Sequence, residues 1–510
     1  VSHQVRTEEA VTAEDLPPRV KELLVGGHRL ALVAAHHDSP GYPDGPPPPQ
    51  STDLRVVYLF LAPYPASRVE LHLRLDPDKP VVPSLSDRSF VAGRFEREMR
   101  DLYGITPIGH LLPRRLVRHP HWPAGYYPMR REARPPEFSL TSEPFPFLTV
   151  EGQGVYEIPV GPVHAGMIGP GHFRFSVIGE TILKLKARLW YVHKGIEKLF
   201  EGRDLVSGLP LAERISGDTA VGHSLAYCQA VEEALDLPVS TDARRARALL
   251  LELERVYNHI GDIGALCNDV GHGVLQAHAM RIRESLLRLN AETTGHRLLR
   301  DGVHIGGATL RQVPDPDRLS AIAADIRDVV ELAETNSLVA ERFTGTAVLS
   351  GAEAHDLGAL GYVARASGID IDARRDHFSF DYAEAGAVLT VPTQKAGDVM
   401  ARFRQRVAEL DVSFGLLDVL CRSTGPVDVR PDPTPCRARP AVGVGIVEGW
   451  RGTIVHRVEI GPDDRVTRNK IVDPSWFNWP ALPVALADTI VPDFPLVNKS
   501  FNLSYAGNDL

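Results

Sequence analysis

Two apolar stripes at helical spacing dominate the pattern of the chain. Leu249, Leu253, Val256, Ile260, Ile263 and Cys267 form one; Val399, Phe403, Val407, Leu410, Phe414 and Leu417 form the other. Residues three and four apart share one face of an α-helix, so each stripe predicts a long helix with one buried side. The pair predicts the core of a helical bundle. Elsewhere the pattern alternates. Leu54 to Leu61 and Val69 to Leu75 predict strands, and residues 93–104 are charged with helical spacing. Phe173, Phe175 and Val177, then Gly179-Glu180, then Leu183, Leu185, Ala187 and Leu189 predict a β-hairpin. Residues 440–475 return to a strand-like pattern. The tail from Asp473 to Leu510 reads as irregular, with helical pieces.

Proline marks the organisation. Residues 41–51 hold four consecutive prolines, which favour extended geometry and predict a surface loop. Residues 134–148 hold Pro135, Pro136, Pro144 and Pro146, a density that neither a helix nor a central strand tolerates. The expected organisation is a domain over 1–133, a proline-rich linker over 134–150 and a larger domain over 151–510. The expected fold class is α+β: a small N-terminal α+β domain, then a mainly helical bundle with β elements near its start and end.

Composition narrows the chemistry. The chain has 510 residues, with 56 Lys and Arg against 65 Asp and Glu, a net charge of −9. No basic surface for nucleic acid is expected from that balance. Cys228, Cys267, Cys421 and Cys436 include no CxxC pair, so a thiolate zinc or iron–sulfur site is not expected, and sparse thiols fit a reducing compartment. The opening residues carry no apolar signal core, and no run of about 18 apolar residues predicts a membrane span. No GxGxxG or P-loop is present, so no nucleotide is expected by those routes. Three polar groups have open readings. His36-His37-Asp38 reads as a solvated turn or a metal clip. Thr241 to Arg247 reads as a charged helix start or a contact for an acidic partner. His193, Lys194, Glu197 and Lys198 read as a helix-face ion-pair set or a family motif near a subunit boundary.

Longer motifs carry a resemblance. Residues 94–110, Arg-Phe-Glu-Arg-Glu-Met-Arg-Asp-Leu-Tyr-Gly-Ile-Thr-Pro-Ile-Gly-His, resemble the signature of the 30-kDa-type subunit of complex I, as do Leu112-Pro113-Arg114-Arg115 and Trp122-Pro123-Ala124-Gly125. Gly161-Pro162-Val163-His164, Gly171-His172-Phe173-Arg174-Phe175 and Tyr191 to Leu199 resemble the 49-kDa-type subunit. Further matches are Leu253-Glu254-Arg255, Ile305-Gly306-Gly307, Arg365 to Gly368, Ala396 to Val399, Glu448 to Gly452 and Asn478-Trp479-Pro480. The ordered set over residues 50–510 resembles the fused large subunit of energy-converting, formate-hydrogenlyase-type nickel–iron hydrogenases.

That resemblance implies a membrane-associated complex on the cytoplasmic face of the cell membrane. The implied partners are an iron–sulfur small subunit, a ferredoxin-like subunit and antiporter-like membrane subunits. Iron–sulfur clusters would sit in the partners, with none in this chain. In such hydrogenases two CxxC pairs hold the metal. Here Ser216 and Thr219 stand at one pair of positions, and Ser504 and Gly507 at the other. Hydroxyls are poor ligands for a soft metal and glycine offers no side chain, so no nickel–iron centre is expected. In complex I the corresponding cavity receives a quinone headgroup between a His and a Tyr. Those positions align with Pro170 and Gly217 here, although His164 and His172 lie close by. The residues expected around the vacated cavity are His164, Ser216, Asp218, Thr219, His223, Ser504 and Asp509. No catalytic residue is assigned. The expected function is an electron-transfer subunit that uses the cavity for quinone or another acceptor. The alternative is a non-catalytic scaffold that docks an iron–sulfur subunit onto the membrane arm.

Overall fold

The computed structural model describes residues 5–38, 54–63, 66–138, 145–166, 168–431 and 440–510. The proline run at 41–51, part of the 134–150 segment and Cys436 lie outside these residues or partly so.

The N-terminal region is a four-stranded sheet with two helices. Its strands are β1 (Val5–Ala10), β2 (Arg29–His37), β3 (Leu54–Pro63) and β4 (Ala66–Leu75), in the order β1-β4-β3-β2. β3 is antiparallel to both neighbours, and β1 runs parallel to β4. Helix α1 (Leu16–Val25) connects β1 to β2. Helix α2 (Phe90–Tyr103) starts on a Ser89 side-chain cap and stops at left-handed Gly104. Short strands β5 (Val81–Pro83) and β6 (Thr106–Ile108) pair in parallel.

The second region opens with a three-stranded sheet: β7 (Val155–Val160), β8 (His172–Ile178) and β9 (Thr181–Arg188). The sequence pattern predicts only the β8–β9 hairpin, and the buried set differs from the alternation. A register shift at Ser176/Val177 turns Ile182 inward and leaves Leu183 39% exposed. One extra residue in a ladder switches faces for the residues beyond it. Short helices α3 (Ile196–Phe200) and α4 (Leu205–Ala212) lead to the helical core.

The core comprises α5 (Ala220–Leu235), α6 (Thr241–Asp269) and α7 (Gly273–Thr294), then the short strands β10 (Val303–His304) and β11 (Gly307–Leu310) and helix α8 (Pro316–Thr335). Short helices α9 (Ser337–Phe343), α10 (Gly351–Asp356), α11 (Gly361–Ala366) and α12 (Ala373–Asp376) precede the long α13 (Val399–Ser423). Both predicted stripes face the core, and all their residues on α6 are buried. Ser240 caps α6, so the Thr241 run is a helix start. Its last residue, Arg247, is nevertheless buried against Glu232, with Nη1 3.0 Å from Oε2.

β12 (Val427–Val429) is followed by an antiparallel sheet of β13 (Ala441–Gly449), β14 (Gly452–Ile460) and β15 (Val466–Val472). The tail folds as α14 (Pro474–Asn478), α15 (Ala481–Ala485), α16 (Phe494–Phe501) and α17 (Tyr505–Asp509). Helix α5 lies across β13 and β14. Strand alternation sends Ile454, His456 and Val458 of β14 to one side and Arg457 and Glu459 to the other.

The second side meets the N-terminal sheet through buried ion pairs. Arg457 Nε lies 2.9 Å from Glu70 Oε2, and Arg55 bridges Glu459 at 2.5 Å and Asp38 at 2.6 Å. This corrects the solvated-turn reading of His36-His37-Asp38. His36 and His37 end β2, and His36 and Asp38 are buried. His36, Asp38 and Glu459 converge as a metal clip would, but the Arg55 guanidinium spans the two carboxylates and supplies the positive charge. A second seam joins Lys470 to Glu98 at 2.8 Å and Arg468 to Glu197 at 2.7 Å. Glu197 is thus a buried link to β15, so the helix-face reading of its group fails there. His193 and Lys194 bond instead to the backbone oxygens of Asp509, Arg214 and Ile215.

Cys228, Cys267 and Cys421 are buried on separate helices. Burial pushes the Cys267 and Cys421 thiols up to about 12, so neither offers a thiolate at neutral pH.

Candidate functional site

A cavity of about 590 Å³ opens where five segments meet: the β7–β8 connection, the α4–α5 connection, the C-terminal end of α6, the turn before β14, and α16 with the residues leading into α17. Its size suits a small organic ligand.

The floor is polar. Ser216 Oγ lies 2.8 Å from Ser504 Oγ and 2.8 Å from Asp218 Oδ1. Asp218 takes a bidentate pair from Arg451, with Nη1 2.8 Å from Oδ1 and Nη2 2.7 Å from Oδ2. The Thr219 hydroxyl adds a bond of 3.1 Å to the same carboxylate. Burial would raise the Asp218 carboxyl, but the Arg451 charge and these hydroxyls override it and hold it at about 2. The carboxylate therefore stays ionised and paired. Arg451 is fixed in turn, 3.9 Å over the Trp450 ring and donating from Nε to Asn502 O at 2.7 Å. The Asp218 backbone carbonyl accepts from Asn258 Nδ2 at 2.8 Å and Trp450 Nε1 at 3.0 Å, which sets the loop against the bundle.

His164 and Tyr505 line the same cavity. The Tyr505 hydroxyl lies 3.3 Å from His164 Nε2. Burial lowers His164 and raises Tyr505, so a neutral imidazole faces a protonated phenol, and the His164 tautomer sets which of the two donates. The ring of Tyr505 reaches the cavity because the β7–β8 connection is bare there. A Cβ on Gly171 would lie 2.7 Å from Tyr505 Cε1. Lys499 and Asp269 line the cavity as well.

Two known family models cover this architecture. Residues 11–139 match the respiratory-chain NADH dehydrogenase 30 Kd subunit, and residues 269–439 match the 49 Kd subunit. Hydrogenase-4 component G of Escherichia coli (strain K12) is 32% identical over 453 residues, covering 85% of this chain and 77% of that protein. The chain belongs to this family of hydrogenase-type large subunits with fused complex I modules. Another relative, the C/D subunit of NADH-quinone oxidoreductase from Phocaeicola vulgatus, is 31% identical over 367 residues, covering 67% of this chain and 70% of that one. A chain in the structure of the membrane-bound sulfane sulfur reductase, an archaeal respiratory membrane complex, shares the fold. Its TM-score is 0.61 at 22% identity, covering 70% of this chain and 99% of that chain. No described helix of this large subunit is long and apolar enough to cross a membrane.

Ser216 and Ser504 touch, and Thr219 backs the same floor, buried against Trp450 Nε1 at 3.1 Å. Two of the residues expected at the cavity lie off it. His223 points away into the protein, with Nε2 3.0 Å from Asp473 Oδ2. Asp509 turns to the other side of α17, accepting from Val192 N at 3.1 Å and Asn508 Nδ2 at 2.9 Å. Pro170 and Gly217 remain without a headgroup partner to offer, while Tyr505 and His164 meet nearby.

Arg451 and Tyr505 are the residues that sequence reading missed. Arg451 stands inside the Glu448-to-Gly452 motif, which marks a family but not a partner for Asp218. Tyr505 follows Ser504 directly, so the tail segment held the signal.

Proposed function

We propose that this chain is the large subunit of a membrane-associated oxidoreductase complex whose cavity receives an electron acceptor of the quinone class in place of a nickel–iron centre. The observation that carries the reading is the pairing of Ser216 with Ser504 in one cavity with the Tyr505–His164 pair. The donor set does not suit the metal. Hydroxyls bond to one another where thiolates would be needed, and the neighbouring carboxylate is taken by Arg451. The same set suits a quinone. A phenol hydroxyl and a neutral imidazole can hydrogen-bond a carbonyl oxygen, and the cavity has room for a ring.

Reduction of a quinone takes two electrons and two protons. The electrons would come from an iron–sulfur cluster of a small subunit. Tyr505 is placed to hold a proton at the acceptor oxygen, and the Asp218–Arg451 pair sets the local field. A ferredoxin-like subunit and antiporter-like membrane subunits make up the rest of the proposed complex, with this chain peripheral on the inner face of the cell membrane. The boundary over 134–150 belongs to the same proposal, with modules over 1–133 and 151–510. The names of the relatives support it, since both hydrogenase and quinone oxidoreductase subunits match this chain.

The test is turnover of the purified complex with a short-chain quinone, in wild type and in His164→Ala and Asp218→Asn. Loss of at least tenfold in kcat/KM in both variants supports the acceptor site. Full activity in both, or no quinone reduction at all, favours a non-catalytic scaffold that docks an iron–sulfur subunit to the membrane arm.

A further inference from the structure

Gly507 stands at the fourth cysteine position of the resemblance, and its missing side chain has a specific neighbour. A Cβ at Gly507 would lie 2.5 Å from Oδ2 and Cγ of Asp473. The Asp473 carboxylate therefore takes the space that a side chain at 507 would need. This carboxylate begins a buried chain of hydrogen-bonding groups. Asp473 Oδ2 lies 3.0 Å from His223 Nε2, His223 Nδ1 lies 3.1 Å from His456 Nε2, and His456 Nδ1 lies 3.4 Å from Asn469 Nδ2. His223, His456 and Asn469 are fully buried. Three different elements supply the groups: α5 gives His223, β14 gives His456, and β15 with the residue after it gives Asn469 and Asp473.

The chain of donors is complete in two forms. In the first, Asn469 Nδ2–H donates to His456 Nδ1, His456 Nε2–H to His223 Nδ1, and His223 Nε2–H to Asp473. In the second, one proton has been added. It enters at Nδ1 of His456, the Nε2 proton of His456 passes to Nδ1 of His223, and His223 becomes an imidazolium that donates at both ends. Asn469 suits both, because its Oδ1 has no partner in the first form and accepts from His456 Nδ1–H once the amide turns over. Only N–H and O–H bonds change.

We propose that Asp473, His223 and His456 form a buried proton-holding unit behind the cavity floor, which takes up one proton and holds it across the two rings beside the Asp473 carboxylate. The unit deepens the acceptor reading above and rests on it for its physiological use. Asp473 is tied to the cavity floor by position: its Oδ1 accepts from Ser475 N at 2.7 Å, and Ser475 Oγ accepts from Ser504 N at 2.9 Å, backbone amides that fix the carboxylate and carry no proton.

The surroundings fix where the charge sits. Burial holds the His456 imidazole well below its ordinary value, with the His223 ring adding to the effect. Burial would raise Asp473, but its bond to His223 and the charges of His223 and Arg451 bring it down. His223 thus stands between an ionised carboxylate and an imidazole that resists protonation. Tyr227 on α5 lies 6.4 Å from the His456 ring with its hydroxyl bonded to Leu205 O, and Glu254 on α6 is held by the amides of Val221 and Gly222. Arg451 faces Asp473 from the turn before β14.

The full chain labelled with ¹⁵N-histidine tests this without any acceptor. Ring-nitrogen shifts are followed from about pH 5 to about pH 9, with His223→Gln and His456→Gln assigning the two rings. The proposal expects both rings to move at one shared midpoint. It also expects His456→Gln to shift the His223 midpoint by about one pH unit or more, a tenfold change in proton affinity. Independent midpoints, each indifferent to loss of the other ring, overturn it. Should His456→Gln fail to fold, Asn469→Ala provides the same comparison at the far end of the chain. A shared midpoint in a protein that binds no quinone removes the acceptor reading and leaves the proton unit standing. Independent midpoints in a protein that binds quinone do the reverse.

Discussion

Ser216 Oγ and Ser504 Oγ lie 2.8 Å apart although 288 residues separate them in the chain. The contact closes the cavity floor, but the two hydroxyls are not equivalent. Ser504 also accepts from Gly507 N at 2.9 Å and so caps α17, whereas Ser216 keeps a second partner in Asp218. Ser504→Ala and Ser216→Ala are each expected to cost about 1–2 kcal/mol, because the first removes a cap with the shared bond and the second removes a bond to the ionised Asp218 with it. Urea unfolding of the two variants checks both losses.

Gly507 and Gly217 make a matched pair. A methyl group at Gly507 meets the Asp473 carboxylate, while one at Gly217 meets nothing within 4 Å. Gly507→Ala is therefore expected to destabilise by about 1–3 kcal/mol through overpacking. Gly217→Ala is expected to be near neutral, within about 0.5 kcal/mol. Equal effects in thermal unfolding would contradict the packing described for Asp473.

Glu254 gives a pH signature. Burial raises its carboxyl to about 8, against two backbone amides that lower it less. The folded state then binds more protons at this group than the unfolded state between the ordinary carboxyl value and about 8. Its contribution makes stability fall as pH rises through that window and level off above it. Glu254→Gln keeps the shape and removes the titration. The variant is expected to lose less stability than wild type between about pH 5 and about pH 8, read from denaturation midpoints at each pH.

The seam between the N-terminal sheet and β14 is held by buried charge. Arg457→Met leaves Glu459 with Arg55 and Glu70 with Arg68 at 3.6 Å as remaining cations, so it is expected to cost about 2–3 kcal/mol, below the loss for a buried charge left wholly unpaired. Replacing Arg457 and Glu70 together by apolar residues is expected to recover part of that loss. A double-mutant cycle measures the coupling.

The elements that periodicity governs were legible in the sequence. The stripes of α6 and α13, the strands β3 and β4 and the β8–β9 hairpin follow from local patterns of apolar residues. The departures arise where long-range partners decide. His36 and Asp38 look like a polar turn until Arg55 and Glu459 arrive from elsewhere to satisfy them. Leu183 faces out because of a register shift that no alternation reveals. At the cavity, Ser216, Asp218, Ser504 and His164 were legible through their motif positions. The bond of Asp218 to Arg451, the reach of Tyr505 and the burial of His223 with His456 depend on contacts across more than two hundred residues, and no local spacing encodes them.

The proposed quinone-class acceptor would sit in the cavity lined by Ser216, Ser504, Tyr505 and His164. Equilibrium binding of a short-chain quinone to the purified complex, compared between wild type and Tyr505→Phe, tests it most directly. Saturable binding is expected, weakened about tenfold by Tyr505→Phe, the worth of one hydrogen bond in a partly buried site. Binding that is absent, or unchanged in Tyr505→Phe, would contradict it.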